Sequence, residues 1–283
     1  MIKVEKISTP NFTSQRGSKV IHSHHQEDIS VSYKSTYTLK YVLEGYKHYS
    51  FGEGDLKVSK DQYLLVNDNR TISTAAKKGT RGLSFFIEKD LIENACLNIS
   101  GEEMRANELF EYPQRQPDGA LSNWLKRNAH LFLNEENISP LLIESLFVDL
   151  AGLIVEEHTE IRNRLERFGV VKHSTKQELF KIIALAKEYM HDHMNNSISL
   201  ECLSKSIGIS KFYLNRLFKE LTYTTPVEYI TSLRLTEAKN LLRESKMSII
   251  EISTCCGFES QSYFSRTFKK AFGITPSAYR ALS

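Results

Sequence analysis

A chain of 283 residues with 41% hydrophobic and 25% charged side chains has the length for two domains of ordinary size and the composition of a globular protein. No apolar run approaches the roughly 20 residues of a membrane helix, and residues 1–10 lack the apolar core of a signal peptide, so the expectation is a cytoplasmic protein with no membrane partner. The net charge of +3 is uneven: from Thr175 onward 15 Lys and Arg face 10 Asp and Glu, a net of +5, which leaves −2 for the rest. A basic C-terminal part is a modest polyanion signal.

In chain order, residues 1 to about 90 read as short β-strands. Ile29 to Tyr33, Tyr37 to Leu43, Lys47 to Phe51, Gln62 to Val66 and Gly82 to Ile87 are separated by Gly45, Gly52-Glu53-Gly54, Asn67-Asp68-Asn69 and Lys77-Lys78-Gly79. Strands at this spacing predict a sandwich or barrel. After Glu88 the period turns helical. Trp124, Leu125, Leu131 and Leu133 suggest one helix, and Pro140 begins a longer one, with Leu142, Leu146, Leu150, Leu153 and Ile154 at three- or four-residue intervals. The segment from Pro140 to Phe168 suits either packing on its own domain or a coiled-coil-like dimer seam. Residues 169–174 read as a linker, and Thr175 to Met194 as a further amphipathic helix. Cys96, Cys202, Cys255 and Cys256 form no C-x-x-C pair, and three fall at apolar helical positions, so they are expected to be small buried hydrophobes.

The last eighty-odd residues carry one pattern twice. Ser199 to Ser210, then Tyr213-Leu214-Asn215-Arg216-Leu217-Phe218-Lys219 and Thr225-Pro226, is answered by Ser248 to Glu259, then Tyr263-Phe264-Ser265-Arg266-Thr267-Phe268-Lys269 and Thr275-Pro276. Aligning Gly208 with Gly257 and Tyr213 with Tyr263 requires a single extra residue in the second turn. Each copy predicts a helix-turn-helix: Leu200, Leu203 and Ile207 face Leu214, Leu217 and Phe218, as Ile249, Ile252 and Cys256 face Phe264 and Phe268, with a glycine in each turn. Ser248 and Glu251 have capping-box spacing, and Ser210 is placed to cap the first recognition helix. Between the copies, Thr225-Pro226-Val227-Glu228 starts a helix that runs to Glu244. At 1.5 Å per residue it spans roughly 28 Å, close to the 34 Å or so of one DNA turn.

The core does not use the polar face of each second helix. In the first copy that face carries Lys211, Phe212, Asn215, Arg216 and Lys219, headed by Ser210; in the second, Gln261, Ser262, Ser265, Arg266, Lys269 and Lys270, headed by Ser260. Arg forks onto guanine, Asn and Gln onto adenine, and an aromatic group touches the thymine methyl, so these side chains suit a major groove. Lys219, Lys269 and Lys270, farther along, suit phosphates.

At these residues the chain resembles the AraC/XylS family of bacterial transcription regulators, from about Leu179 to Leu282. The most specific stretch is Gly257-Phe258-Glu259-Ser260-Gln261-Ser262-Tyr263-Phe264-Ser265-Arg266-Thr267-Phe268-Lys269-Lys270, then Phe272-Gly273-Ile274-Thr275-Pro276 and Tyr279-Arg280. The resemblance implies a seven-helix domain with two motifs that binds double-stranded DNA and activates promoters, often by contacting RNA polymerase. It assigns base reading to Phe212, Asn215 and Arg216, and to Gln261, Ser262 and Arg266. One departure is Tyr223, where the family usually has Gly; tyrosine is disfavoured at positive φ, so a different local turn is expected there.

The N-terminal half resembles the family's cupin-type regulatory domain over Thr38-Leu39-Lys40-Tyr41-Val42-Leu43-Glu44-Gly45 and Gly54-Asp55-Leu56, which implies a small-molecule effector of unspecified identity and homodimerisation through the helices behind it. His22, His24 and His25 with Glu27 raise a cupin metal site, but their position and spacing do not fit the cupin pattern, and an exposed polar loop is preferred. His48, Tyr46 and Tyr49 line a pocket or face solvent or core. P-loop, G-x-S-x-G and H-E-x-x-H motifs are missing from the sequence. The expected fold class is therefore α+β: a cupin-like barrel or sandwich with trailing helices over 1–168 (β to 90, helices 91–168), a linker at 169–174, and an all-α double helix-turn-helix domain over 175–283. The expected function is a sequence-specific transcription regulator, controlled by its N-terminal domain through a small effector or a partner, with no resident metal, cofactor or catalytic residue. The competing reading is a metal-dependent cupin enzyme tethered to DNA.

Overall fold

The computed structural model describes residues 3–7, 17–51, 55–101, 109–114, 119–133, 138–170 and 172–282. The turn expected at Gly52-Glu53-Gly54 and Val171 of the expected linker lie outside them. The chain divides into two compact units, Met1–Ala184 and Leu185–Ser283.

In the first unit, nine described strands build two sheets. One has the order β1 (Lys3–Ile7), β2 (Lys19–His24), β9 (Arg81–Ile87), β4 (Tyr37–Glu44), β7 (Tyr63–Val66); the other runs β3 (Ile29–Ser35), β8 (Arg70–Ala76), β5 (Tyr46–Ser50), β6 (Asp55–Ser59). All pairings are antiparallel except β1 with β2. The period of two sorts each strand between faces. On β4, Leu39 and Tyr41 join the core under the helices, while Val42 and Lys40 turn toward the second sheet.

Three helices cover the outer face of the first sheet: α1 (Lys89–Ser100), α2 (Ala120–Asn128) and α3 (Pro140–Arg167). Phe85 meets Trp124, Phe132 and Phe147 edge-on at 5.2–6.2 Å, the arrangement the ring quadrupoles favour. Helix α3 starts with Ser139 as cap and Pro140 in the first turn, and buries Ile143, Leu146, Phe147, Leu150, Ile154 and Val155 on the sheet. Packing on its own domain accounts for that stripe. Leu141, 76% exposed, and Val148, 58% exposed, lie off it.

Strands β1, β2, β6 and β8 have no counterpart among the strands named from the sequence, and β2 corrects the reading of the histidines. Instead of forming an exposed loop, residues 19–24 pair with β9 in a register that sets His22 opposite Leu83. His22 and His25 are buried, whereas His24 and Glu27 are exposed. His25 lines the space between the sheets, while His22 and Leu83 share the face under the helices. A distant ladder partner overrides the local polarity of the segment. The cysteine expectation is also corrected in part: Cys96 and Cys256 are buried, but Cys202 and Cys255 are exposed, because the helical turn puts them on outer faces.

The inter-sheet space is apolar at one end, with Val42, Tyr49, Val58, Leu64, Val66 and Ile72, and polar at the other. There a cavity of about 20 Å³ is lined in part by Ser23, His25, Lys40, Lys47, Thr74 and Ser84. Lys47 reaches from β5 to β2, its Nζ donating to Ser23 Oγ at 2.6 Å, and Ser23 Oγ donates to the Gly82 carbonyl at 3.1 Å. At Gly82 a Cβ would come 2.8 Å from the Tyr41 carbonyl and 3.4 Å from Lys47 Nζ, so only glycine leaves that path open. Lys40 Nζ sits over the rings of Phe86 and Tyr33, at 4.3 and 5.1 Å. Such ring contacts return up to about 2 kcal/mol, less than the several kcal/mol of effective penalty for burying an ammonium. Burial accordingly pushes the Lys47 amine down to about 8, and burial together with the like charges of Lys47 and Lys19 holds Lys40 well below the usual lysine range.

Helix α4 (His173–Asp192) contains the division between units, which falls later than the expected 169–174 linker. Its first turns belong to the first unit for a physical reason: Phe180 stacks on Phe110 at 4.5 Å, Gln177 Nε2 donates to the Leu109 carbonyl at 3.0 Å, and Lys176 pairs with Glu166 at 2.5 Å. His158 belongs to the same cluster. It accepts from the Phe110 N–H at 3.1 Å, and burial pushes its imidazole down to about 3.

Candidate nucleic-acid interface

The second unit is helical throughout: after the end of α4 come α5 (Leu200–Ile207), α6 (Lys211–Thr222), α7 (Pro226–Glu244), α8 (Ile249–Cys255), α9 (Gln261–Phe272) and α10 (Pro276–Leu282). Helices α5 and α6 form one pair, α8 and α9 a second, and α7 separates them.

Local chemistry sets every boundary of the two pairs. Ser199 Oγ accepts from the Cys202 N–H and Ser248 Oγ from the Glu251 N–H, starting α5 and α8; Glu251 closes a capping box by accepting from the Ser248 N–H. Ser210 and Ser260 do the same for α6 and α9, accepting from the Tyr213 and Tyr263 N–H groups at 3.3 and 3.2 Å. Each such cap contributes about 1 kcal/mol. Helix α7 opens with the expected capping box, Thr225 with Glu228, and Pro226 in its first turn. At Tyr223 the expected departure is absent: the residue takes a left-handed φ of 60°, and its N–H closes α6 on the Lys219 carbonyl, as the N–H of Gly273 closes α9 on Lys269. The C-cap hydrogen bond holds the tyrosine in a conformation that costs roughly 1–2 kcal/mol.

With Leu214, Leu217, Phe218 and Leu221 buried on α6, and Phe264 and Phe268 on α9, the 3.6-residue period turns the remaining side chains outward. Phe212 is 79% exposed, Arg216 and Lys219 are exposed, and Lys211 and Asn215 are half-buried. On the second pair Gln261, Ser262, Arg266, Lys269 and Lys270 are exposed and Ser265 is half-buried. All thirteen side chains singled out from the sequence thus lie on or at the heads of two helices of equal length. Ser210 and Ser260 are already engaged as caps.

The structure adds partners that spacing alone did not reveal. Lys211 Nζ is paired with Glu201 Oε1 at 2.5 Å, across the turn of the first pair. The Glu228 carboxyl is held below the usual carboxylate range by the Thr225 N–H and hydroxyl, with smaller contributions from Lys219 and Lys270. The far ends of α6 and α9 therefore share the electrostatic neighbourhood of one carboxylate at the head of α7. Arg234, on α7, donates to the Met194 and Asn196 carbonyls at 2.7 and 2.6 Å, tying α7 to the turn after α4. The only sequence hint of that role is an arginine on an otherwise amphipathic helix. Among the described residues no three His, Cys, Asp or Glu side chains converge as a metal site, and no helix is long and apolar enough to cross a membrane.

Comparison with known proteins places this geometry. Residues 203–282, spanning both helix pairs, match the family profile described as a helix-turn-helix domain. The Transposon Tn10 TetD protein of Escherichia coli is 32% identical over 128 residues, 45% of this chain and 92% of that protein. Regulatory protein SoxS of Salmonella typhimurium is 37% identical over 100 residues, 35% of this chain and 94% of its own length. The HTH-type transcriptional regulator GbdR of Pseudomonas aeruginosa is 34% identical over 123 residues, 42% of this chain but only 32% of GbdR. These similarities cover less than half of the chain.

Proposed function

The chain belongs to the AraC/XylS family of helix-turn-helix, DNA-binding transcription regulators, and on that premise we propose that it reads two successive major grooves, inserting α6 into one and α9 into the next. The observation that carries this reading is the matched pair of capped twelve-residue helices with polar outer faces, each the second helix of its pair, with the nineteen-residue helix α7 joining the two pairs. Arg216 and Asn215 in one groove, and Arg266, Gln261 and Ser262 in the other, supply base-edge donors and acceptors; Phe212 supplies an apolar contact to thymine. Lys219, Lys269 and Lys270 meet phosphates, and Ser210, Ser260, Lys211 and Ser265 lie at the margins of the same contact.

The β-unit is the controlling half, a cupin-like domain that takes a small effector and sets whether two chains occupy adjacent sites. Linking two modest contacts raises the effective concentration of the second, so a small bias in pairing becomes a large change in occupancy. The exposed Leu141 and Val148, seven residues apart on α3, suit a homodimer face. The regulator acts in the cytoplasm as an activator, with RNA polymerase as its partner at the promoter.

The test is selection of bound sequences from a random duplex library by the full chain, at two salt concentrations. A motif with two elements about one helical turn apart is expected. Binding without enrichment at either salt would reduce the basic face to an electrostatic contact and remove the double reader.

A further inference from the structure

The proposal that follows rests on the reading of the β-unit as an effector domain and adds the chemical class of the effector. We propose that the polar cavity between the two sheets binds a carboxylate group, held between Lys40 of β4 and Lys47 of β5.

Four observations converge on it. The two amines come from opposite sheets and line the same cavity. Around them stand the hydroxyls of Tyr49 and Ser84, with those of Tyr33 and Thr74 3.5 Å from each other, and no lining residue is Asp or Glu. The volume, about 20 Å³, has room for one or two water-sized groups, which suits a carboxylate head and is tight for sulfate or phosphate. Finally, the packing does not call for cations. Lys47 has a neutral hydroxyl as its hydrogen-bond partner and Lys40 rests on aromatic rings, so a methionine at either place would fill the space without the penalty of a buried charge. A carboxylate supplies what no lining residue does, an anionic acceptor for charge-assisted hydrogen bonds from both amines.

Binding should also be linked to protons. The titratable groups facing the cavity are Lys40 with Lys19 nearby on the first sheet, Lys47, Tyr49 and Tyr33 on the second, and His25 beyond β2. None brings a negative charge at neutral pH. An anion therefore restores protons to the two lysines, whose amines burial has depressed, and is held best below pH 8, where Lys47 is charged.

The experiment uses the full chain labelled with carbon-13 at the lysine Cε positions and sodium formate as the probe, with sodium chloride at equal ionic strength as the reference. Saturable displacement of two lysine signals is expected, assigned by their loss in Lys40→Met and Lys47→Met. Either variant should weaken formate binding by about tenfold or more, whereas Lys34→Met, on the exposed face of β3, should leave it unchanged. Calorimetry in buffers of different ionisation enthalpy should show proton uptake, and affinity should fall as pH rises past 8. Melting curves check that the methionine variants are folded. Non-saturable shifts, equal displacement by chloride, or wild-type affinity in both folded methionine variants would each overturn the carboxylate site. Formate bound at the two lysines with no change in DNA selection supports the site while sinking effector control, so the two ideas fail separately.

Discussion

The two helix pairs share one plan and differ in how tightly it is enforced. The first pair has a mainly aliphatic core of Leu203, Leu214, Leu217, Phe218 and Leu221; the second has a cluster of rings in which Phe258 meets Phe264, Phe264 meets Phe268, and Phe268 meets both Phe272 and Tyr279, with centroids 4.6–5.7 Å apart. Gly208 has open space where a Cβ would go, but at Gly257 a Cβ would lie 2.5 Å from the Met194 carbonyl. At matched outer positions the first pair shows an exposed phenylalanine, Phe212, and a lysine tied to Glu201, where the second shows Ser262 and Gln261. The second pair is therefore the more constrained scaffold, and the first carries the less ordinary reading surface.

The largest expected effect breaks that comparison at the glycines. Gly257→Ala combines a left-handed φ of 75° with a backbone clash and should cost about 3 kcal/mol, against about 1 kcal/mol for Gly208→Ala. Urea unfolding of the full chain, with hydrogen exchange separating the helical unit from the β-unit, measures both; equal losses would refute the asymmetry. Next come the matched arginines. Arg266→Ala and Arg216→Ala should each cost about 1–3 kcal/mol of binding and relax preference at one base position, each in a different element of the site. If only one of them alters preference, only one helix pair reads sequence. A smaller and opposite effect is expected at the C-caps: Tyr223→Gly should stabilise by about 1 kcal/mol and Gly273→Ala destabilise by a similar amount, read from the same unfolding curves. The smallest is Lys270→Ala, which should weaken all duplexes alike and flatten the salt slope by about one unit without changing the selected motif. A shifted motif in that variant would move Lys270 from the backbone to the bases.

How much could be read in advance tracks the range of the interactions. Helices α6 and α7 and every cap at Ser210, Thr225 and Ser248 follow from residues three or four apart, so the string of letters contains the whole determinant. Strand β2 does not work that way. Its Ser23 bonds to Gly82, 59 residues on, and nothing in Lys19-Val20-Ile21-His22-Ser23-His24 announces a buried ladder. The histidine triplet defies a local reading for the same reason, since adjacency in sequence becomes opposition across a sheet. Tyr223 is the reverse case: its steric preference was legible, but the cap hydrogen bond that outweighs it belongs to the finished helix.

The sequence by itself determined the duplicated helical plan, its caps, its glycine turns and the polar faces left over once the apolar residues are buried, because helical periodicity and capping are local. Only the tertiary structure decided that Lys40 and Lys47 line one cavity and that Gly257 presses on the turn after α4. Those are encounters between distant segments, and their strength depends on burial, which comes into being only when the sheets and helices have closed on one another.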